Sequence, residues 1–166
     1  TVKAWLSALE NSYVVFLLQP YYKNFSKRVT KSPKLYFYDT GLLCNLLRIS
    51  DVSKINNKAI KGALFENMVV SEYVKKKYHK NERQTDLWFW RDSHGNEVDL
   101  LIEKPQETEI VEIKATQTIM PDLFKGLNYY DALETEVRLT KTLVYGGSER
   151  QERSVARVLP WSEVDI

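Results

Sequence analysis

The stretch NEVDLLIEKPQETEIVEIKA, residues Asn96–Ala115, decides the fold of this chain because it predicts two strands joined by a short turn. Val98–Ile102 is apolar except for Asp99, and Ile110–Ile113 is apolar except for Glu112. A nearly continuous apolar run predicts a strand that is covered on both faces. A charge inside such a run is unfavourable unless it meets a partner or a metal ion.

Alternation along the second strand places Glu112 and Lys114 on one face together with Ile110. If the two strands pair, the side chain of Asp99 can reach that face as well. Two carboxylates and one ammonium group would then converge in a partly dry environment. Such a group can hold a hard divalent cation beside a phosphate, because oxygen ligands bind the metal and the ammonium stabilises developing charge.

A further acidic residue, Glu66, lies within an apolar pattern that predicts a helix over Ile60–Tyr78. Glu66 borders the apolar stripe of this helix rather than opposing it. One interpretation is an ordinary solvated glutamate. The other is a metal ligand, which the context of Asp99 and Glu112 favours.

The order of these acidic residues resembles the PD-(D/E)XK nuclease superfamily. In that superfamily an acid on the second core strand is followed by acid-x-lysine on the third, as in Asp99 and Glu112-Ile113-Lys114, and often preceded by a helical acid such as Glu66. The resemblance implies that Asp99, Glu112 and the Ile113 carbonyl bind Mg²⁺ or Mn²⁺. It also implies that Glu66 binds through water or holds a second ion, and that Lys114 positions the attacking water.

A wider resemblance covers the chain from about Tyr13 to Trp161. The blocks KSPKLYFYDTGLL, KGALFEN, EVDLLIE and VEIKAT look like the uncharacterised C-terminal domain of a prokaryotic AAA+ ATPase family. Val98 stands where the nuclease motif often has proline, which leaves the proposed ligands intact. The resemblance implies an N-terminal, ATP-binding AAA+ module in the same full-length chain. The start at Thr1 fits a piece of a longer protein.

The predicted fold class is α/β, with a mixed central sheet flanked by helices. From Ile60 onward the order is helix, three strands, helix, strand and strand, which matches the αβββαβ core of restriction endonuclease-like proteins. Residues 1–50 give helix, strand, long basic turn and strand, and this order predicts a partial winged-helix-like subdomain. The polar residues 51–59 predict a linker, and residues 60–166 the nuclease-like domain.

The long turn between Pro20 and Lys34 is basic and contains no acidic residue. Its basic residues are Lys23, Lys27, Arg28, Lys31 and Lys34. One interpretation is a wing that contacts DNA phosphates, with neighbouring aromatic rings that stack on bases. The alternative is a solvated hairpin whose tyrosines fill a small core.

Charge is divided unevenly along the chain, although the net charge is only +2. Residues 1–80 hold 14 Lys and Arg against 5 Asp and Glu, and residues 81–166 hold 10 against 17. This division fits either a phosphate-attracting surface joined to a cation site or two unrelated solvated faces. The single Cys44 and the lack of a long apolar run predict a cytoplasmic location without a membrane partner.

Two functions are consistent with the sequence. The first is a Mg²⁺- or Mn²⁺-dependent DNA endonuclease in which Asp99, Glu112, Lys114 and Glu66 form the catalytic site. The second is a catalytically inactive module of nuclease fold that binds DNA or a partner for the attached ATPase. In the second case Lys114 pairs with Asp99 and Glu112 in a buried salt-bridge cluster.

Overall fold

The structure is a computed structural model that describes residues 1–22, 32–51, 53, 55, 57–80 and 86–164. The helices are α1 (Val2–Asn11), α2 (Thr40–Leu46), α3 (Lys58–His79) and α4 (Lys125–Leu133), with 3₁₀ turns at Pro121–Phe124 and Trp161–Glu163. The strands are β1 (Val15–Pro20), β2 (Lys34–Phe37), β3 (Leu87–Arg91), β4 (Glu97–Glu103), β5 (Thr108–Lys114), β6 (Leu139–Tyr145), β7 (Gln151–Glu152) and β8 (Arg157–Pro160). Within these ranges, no helix combines the length and the apolar character needed to cross a bilayer.

The strands form one mixed sheet in the order β2-β1-β3-β4-β5-β6-β8-β7. The pairs β1–β3, β5–β6 and β6–β8 are parallel, and the other neighbouring pairs are antiparallel. The central strands β4 and β5 are buried along nearly their whole length, as the apolar runs predict. The α/β class with a helix-flanked mixed sheet is therefore confirmed.

Two helices begin at capping residues that the structure fixes by hydrogen bonds. Asp39 Oδ1 accepts from the Leu42 amide at 3.0 Å at the start of α2. Asn57 Oδ1 accepts from the amides of Ala59 and Ile60 at the start of α3. These side chains satisfy amides that have no partner within the helix.

The sheet separates two apolar cores. One core lies on the side of α3, and its members include Val69, Val70, Val74, Leu100, Val111 and Ile113. The other lies on the side of α4, and its members include Trp90, Ile110, Leu127, Tyr130, Leu143 and Val158. Because both faces of the sheet are covered, Asp99 of β4 and Glu112 of β5 are themselves buried.

The N-terminal strands differ from the predicted separate subdomain. Strands β1 and β2 extend the common sheet, and β1 runs parallel to β3. Phe16, Leu18 and Tyr36 belong to the same core as Val70 of α3. The sequence pattern could assign these apolar residues to a core but could not show that the core is shared with residues 60–164.

The register of β4 is irregular beside its acidic residue. It shifts against β3 between Trp88 and Trp90, so β4 carries one residue more than β3 in this region. On its other side, the pairing of β4 with β5 extends to Leu100 and Val111. Asp99 therefore lies where β4 bulges away from one neighbour and separates from the other.

Candidate metal site

Asp99 lies between the separating ends of β4 and β5. Its Oδ2 accepts a hydrogen bond from the Ile113 amide at 2.8 Å and lies 3.7 Å from the Lys114 ammonium. The Asp99 residue is only 6% exposed. The Asp99 carboxylate thus accepts a hydrogen bond from a β5 amide that lies beyond the last paired residues of β4 and β5. This bond fixes the orientation of the carboxylate.

Glu112 and Lys114 lie on the adjacent strand, as their spacing predicts. Lys114 Nζ lies 2.5 Å from Glu112 Oε1. The other oxygen, Glu112 Oε2, is buried and has no hydrogen-bond partner among the described residues. The structure therefore brings Asp99, Glu112 and Lys114 together and leaves one buried acceptor unsatisfied.

Glu66 joins the same site from α3. Its Oε1 accepts hydrogen bonds from the Tyr36 hydroxyl at 2.5 Å and from Lys34 Nζ at 2.8 Å. Burial and the Glu66 charge raise the pKa of Tyr36 above its usual range, so the hydroxyl keeps its proton and acts as a donor. The interpretation of Glu66 as a free solvated side chain is therefore wrong.

Glu97, at the start of β4, completes an acidic group that the sequence analysis missed. Oxygen atoms of Glu66, Glu97 and Asp99 all lie within 4.8 Å of one another. Glu97 stands two residues before Asp99, and this spacing within EVD was the available signal. The predicted apolar run began one residue later, at Val98, and therefore did not include Glu97.

Lys34 of β2 extends its ammonium into this acidic group. Its Nζ contacts Glu97, lies 2.8 Å from Glu66 Oε1 and lies 3.9 Å from Asp99 Oδ1. The same atom lies 5.3 Å from the centre of the Phe89 ring. Of the two interpretations of the basic turn, one gave Lys34 a phosphate contact, and neither predicted its position among these carboxylates.

The other four basic residues predicted to contact DNA lie outside the described residues. They are Lys23, Lys27, Arg28 and Lys31. Their contact with nucleic acid stays a prediction.

Burial and the repulsion between neighbouring carboxylates disfavour the ionised form of Asp99 in this site. Burial raises the pKa of Asp99, and the Glu112 and Glu66 carboxylates raise it further, against the opposing charges of Lys114 and Lys34. Burial works to lower the pKa of Lys114, but the neighbouring carboxylates outweigh it and the net pKa is raised. Negative charge is therefore in excess at the site, and positive charge is favoured there.

The donor set fits a hard divalent cation. Four carboxylates converge on the site, and carboxylate oxygens are the ligands that Mg²⁺ and Mn²⁺ prefer. The unsatisfied Glu112 Oε2 offers one more acceptor. At Ile113 the structure gives a role to the amide, which orients Asp99, whereas the resemblance implied a role for the carbonyl.

A glycine of α4 borders the same acidic residues. A Cβ atom built on Gly126 would lie 2.3 Å from the Glu97 carbonyl oxygen and 2.9 Å from Glu112 Oε2. Only glycine allows α4 to approach β4 and β5 this closely. The sequence carried no recognisable signal for this contact.

Two family profiles match the chain. A profile described as a domain of unknown function (DUF4143) matches residues 61–164, and one described as a domain of unknown function (DUF8612) matches residues 1–53. The first family is found in ATPase-associated C-terminal regions of prokaryotic proteins. The gap between the two matches, residues 54–60, overlaps the predicted linker of residues 51–59.

Curated relatives include uncharacterized proteins of Mycobacterium tuberculosis (strain ATCC 25618 / H37Rv) and Mycobacterium bovis (strain ATCC BAA-935 / AF2122/97). Each is 32% identical over 151 residues, which is 90% of this chain and 32% of the relative. The chain thus spans about a third of the length of these relatives. No solved structure matches the chain significantly.

Proposed function

We propose that this chain, which belongs to the family described as a domain of unknown function (DUF4143), is a metal-dependent phosphodiesterase that acts on DNA. Its core would be of the PD-(D/E)XK, restriction endonuclease-like type. The order α3, β3, β4, β5, α4, β6 supports this assignment because it is the order that the resemblance implies.

One observation carries the proposal. The three residues of the motif, Asp99, Glu112 and Lys114, meet at the separating ends of β4 and β5, and Glu66 faces them from α3. Burial of this much charge is unfavourable unless a further interaction compensates for it. A divalent cation would compensate for the excess negative charge.

Asp99, Glu66 and Glu97 would hold the metal, and Glu112 would contribute through its unsatisfied oxygen. A bound Mg²⁺ or Mn²⁺ supplies Lewis acidity toward a phosphoryl oxygen and lowers the pKa of a bound water. The Ile113 amide orients Asp99 through Oδ2, while Asp99 Oδ1 lies 3.9 Å from Lys34 Nζ.

Lys114 would act on the phosphate and the attacking water. Its ammonium pairs with Glu112, and its side chain is 37% exposed, so it can meet both the acidic group and a ligand from solvent. The raised pKa keeps Lys114 protonated at neutral pH. A protonated lysine stabilises negative charge that develops on a phosphoryl oxygen and donates hydrogen bonds to a water molecule.

The choice of DNA as substrate, and of an ATPase as partner, depends on the rest of the chain. The segment Lys23–Lys31 supplies four basic residues without an acid, which would attract a phosphate backbone. The family occurs beside ATPases, so an N-terminal AAA+ module in the same protein would control access to the site.

A second function is favoured by one specific observation. Lys34 and Lys114 already pair with all four carboxylates, as a salt-bridge cluster of structural importance would require. In that case the domain is an inactive module of nuclease fold that binds DNA or a partner. This candidate predicts no cation binding at the site.

The test is incubation of the purified protein with labelled single-stranded, duplex and branched DNA in Mn²⁺ or in chelator. We expect the wild type to cleave DNA in Mn²⁺ and not in chelator. Asp99→Asn and Lys114→Met should lose this cleavage, and Lys141→Met should retain it. Lys141 is the matched control because it pairs with Asp131 at 2.6 Å and is as buried as Lys34. Cleavage that persists in both site variants would refute the assignment.

A further inference from the structure

Lys34 is the cation that the acidic group holds in this structure. The carboxylates that approach its Nζ, those of Glu66, Glu97 and Asp99, are the same three whose oxygens lie within 4.8 Å of one another. The Lys34 side chain is only 22% exposed. An ammonium group and a divalent cation would therefore compete for the same three carboxylates.

We infer, on the basis of the proposed metal site, that Lys34 is an internal competitor which a divalent cation must displace from Glu66, Glu97 and Asp99. Without metal, the Lys34 ammonium neutralises part of the acidic group and keeps it compatible with the fold. With metal, the ammonium leaves, because two positive charges about 4 Å apart repel strongly in a partly buried site. The metal affinity is lowered by the cost of this exchange.

The surroundings of Lys34 support a movable role, unlike those of Lys114. Lys34 lies at the first residue of β2, which is the edge strand of the sheet. Its neighbouring strand contributes Leu18 opposite it, an apolar residue that offers the ammonium no competing partner. Lys114, in contrast, lies at the end of a central strand and pairs with Glu112, which lies outside the group of three.

The position over the Phe89 ring gives Lys34 a second contact that does not depend on the carboxylates. A lysine ammonium is attracted to the face of an aromatic ring. The attraction of the ring therefore remains available to the ammonium when a metal ion takes the acidic oxygens.

The experiment is a calorimetric titration of Mn²⁺ into chelator-treated wild type, Lys34→Met, Lys34→Arg and Lys141→Met. Lys34→Met should bind Mn²⁺ about tenfold more tightly than wild type or better, because it removes the competing charge. Lys34→Arg keeps the charge and should not gain affinity. Lys141→Met removes an equally buried lysine elsewhere and should match wild type.

A second measurement follows the wild type during a metal titration and does not depend on the folding of Lys34→Met. Mg²⁺ is titrated into protein labelled with ¹³C-lysine, and the Lys34 ¹³Cε signal is identified by its absence in Lys34→Arg. Saturating Mg²⁺ should shift the Lys34 signal and leave the Lys141 signal unchanged. A Lys34 signal that does not respond, or a Lys34→Met affinity no higher than that of wild type, would overturn the inference.

The outcomes separate this inference from the proposed function. If Asp99→Asn abolishes Mn²⁺ binding but Lys34→Met has the same Mn²⁺ affinity as wild type, the metal site is supported and the competition by Lys34 is refuted. If Lys34→Met binds Mn²⁺ more tightly than wild type and no DNA is cleaved, the competition by Lys34 is supported and the phosphodiesterase activity is refuted. If neither wild type nor Lys34→Met binds Mn²⁺, both fail.

Discussion

The Ile113 amide donates a hydrogen bond to Asp99 Oδ2 at 2.8 Å, where β4 and β5 stop pairing. The bond joins the two strands through a side chain after their backbones have separated. It orients a buried carboxylate whose Oδ2 lies 3.7 Å from Lys114 Nζ and whose Oδ1 lies 3.9 Å from Lys34 Nζ. The charge of Asp99 and its hydrogen bond can therefore be tested separately.

We expect Asp99→Asn to keep the fold and lose the metal. The asparagine carbonyl can still accept from Ile113, whereas a neutral amide binds a hard cation poorly, so Mn²⁺ affinity should fall about tenfold or more. In chelator the variant should be at least as stable as wild type, because burial and neighbouring carboxylates disfavour the ionised form of Asp99. Urea denaturation gives the stability; Asp99→Ala, which loses the hydrogen bond too, should be less stable than both.

Lys114→Met should separate catalysis from metal binding. We expect cleavage to be abolished while Mn²⁺ affinity changes by less than about threefold, because lysine does not ligate a cation. The side chain is 37% exposed, so solvent screens its ion pairs and the loss of stability should be only about 1 kcal/mol. A tenfold loss of Mn²⁺ affinity would mean that Lys114 organises the ligands themselves.

Gly126→Ala should destabilise the protein by about 1–3 kcal/mol, the usual range for an overpacked core. The added Cβ would lie 2.3 Å from the Glu97 carbonyl, and α4 must shift to relieve that contact. Gly62→Ala is the control, because nothing lies within 4 Å of a Cβ at that helical position. It should stabilise α3 by up to about 1 kcal/mol, so equal effects of the two variants would contradict the close approach.

The surroundings of Glu109 predict that the stability of the protein depends on pH for a reason that does not involve the metal site. Burial works to raise its pKa, but hydrogen bonds from Lys104 and Thr142 and the charges of Lys104 and Arg157 outweigh burial, so the net pKa is lowered. A lowered pKa in the folded state stabilises the protein above the unfolded value of 4.5, and this stabilisation is lost as pH falls through the folded pKa.

Glu109→Gln should therefore be less stable than wild type at pH 7, by about 1.5–3 kcal/mol for lost charge-assisted hydrogen bonds. The difference should shrink as the pH falls below 4.5, and urea midpoints at several pH values measure it. Glu152→Gln, an exposed residue 3.5 Å from Arg150, should change stability by less than about 0.5 kcal/mol at every pH.

DNA binding should weaken steeply with salt, since each phosphate contact releases about one counterion. Lys27→Ala with Arg28→Ala should flatten the slope of log affinity against log salt by roughly 2 if both residues contact phosphates. Lys34→Met should leave the slope nearly unchanged, because carboxylates already hold its charge. An unchanged slope in the double variant would assign the basic segment to a solvated hairpin.

The sequence by itself determined the central pair of strands and the order of the helices and strands from α3 to β6, whereas the short strand β7 was not predicted. The apolar runs around Asp99 and Glu112 could form only buried strands, and period-2 alternation then set Glu112 and Lys114 on one face. The cap at Asp39 is likewise local, because a capping side chain bonds to amides two or three residues away. Local spacing and hydrophobic period were sufficient for these features.

Only the tertiary structure decided which distant residues complete the site. Lys34 and Glu66 are 32 positions apart, and Gly126 lies beside Glu97 and Glu112 through the packing of α4 on the sheet. No helical or strand period in the sequence connects such positions. Their contact depends on strand order and on the bulge of β4. For the same reason, the sequence could not show that the N-terminal strands share a core with α3. An apolar pattern indicates that a face is buried, but the tertiary structure determines which element covers it.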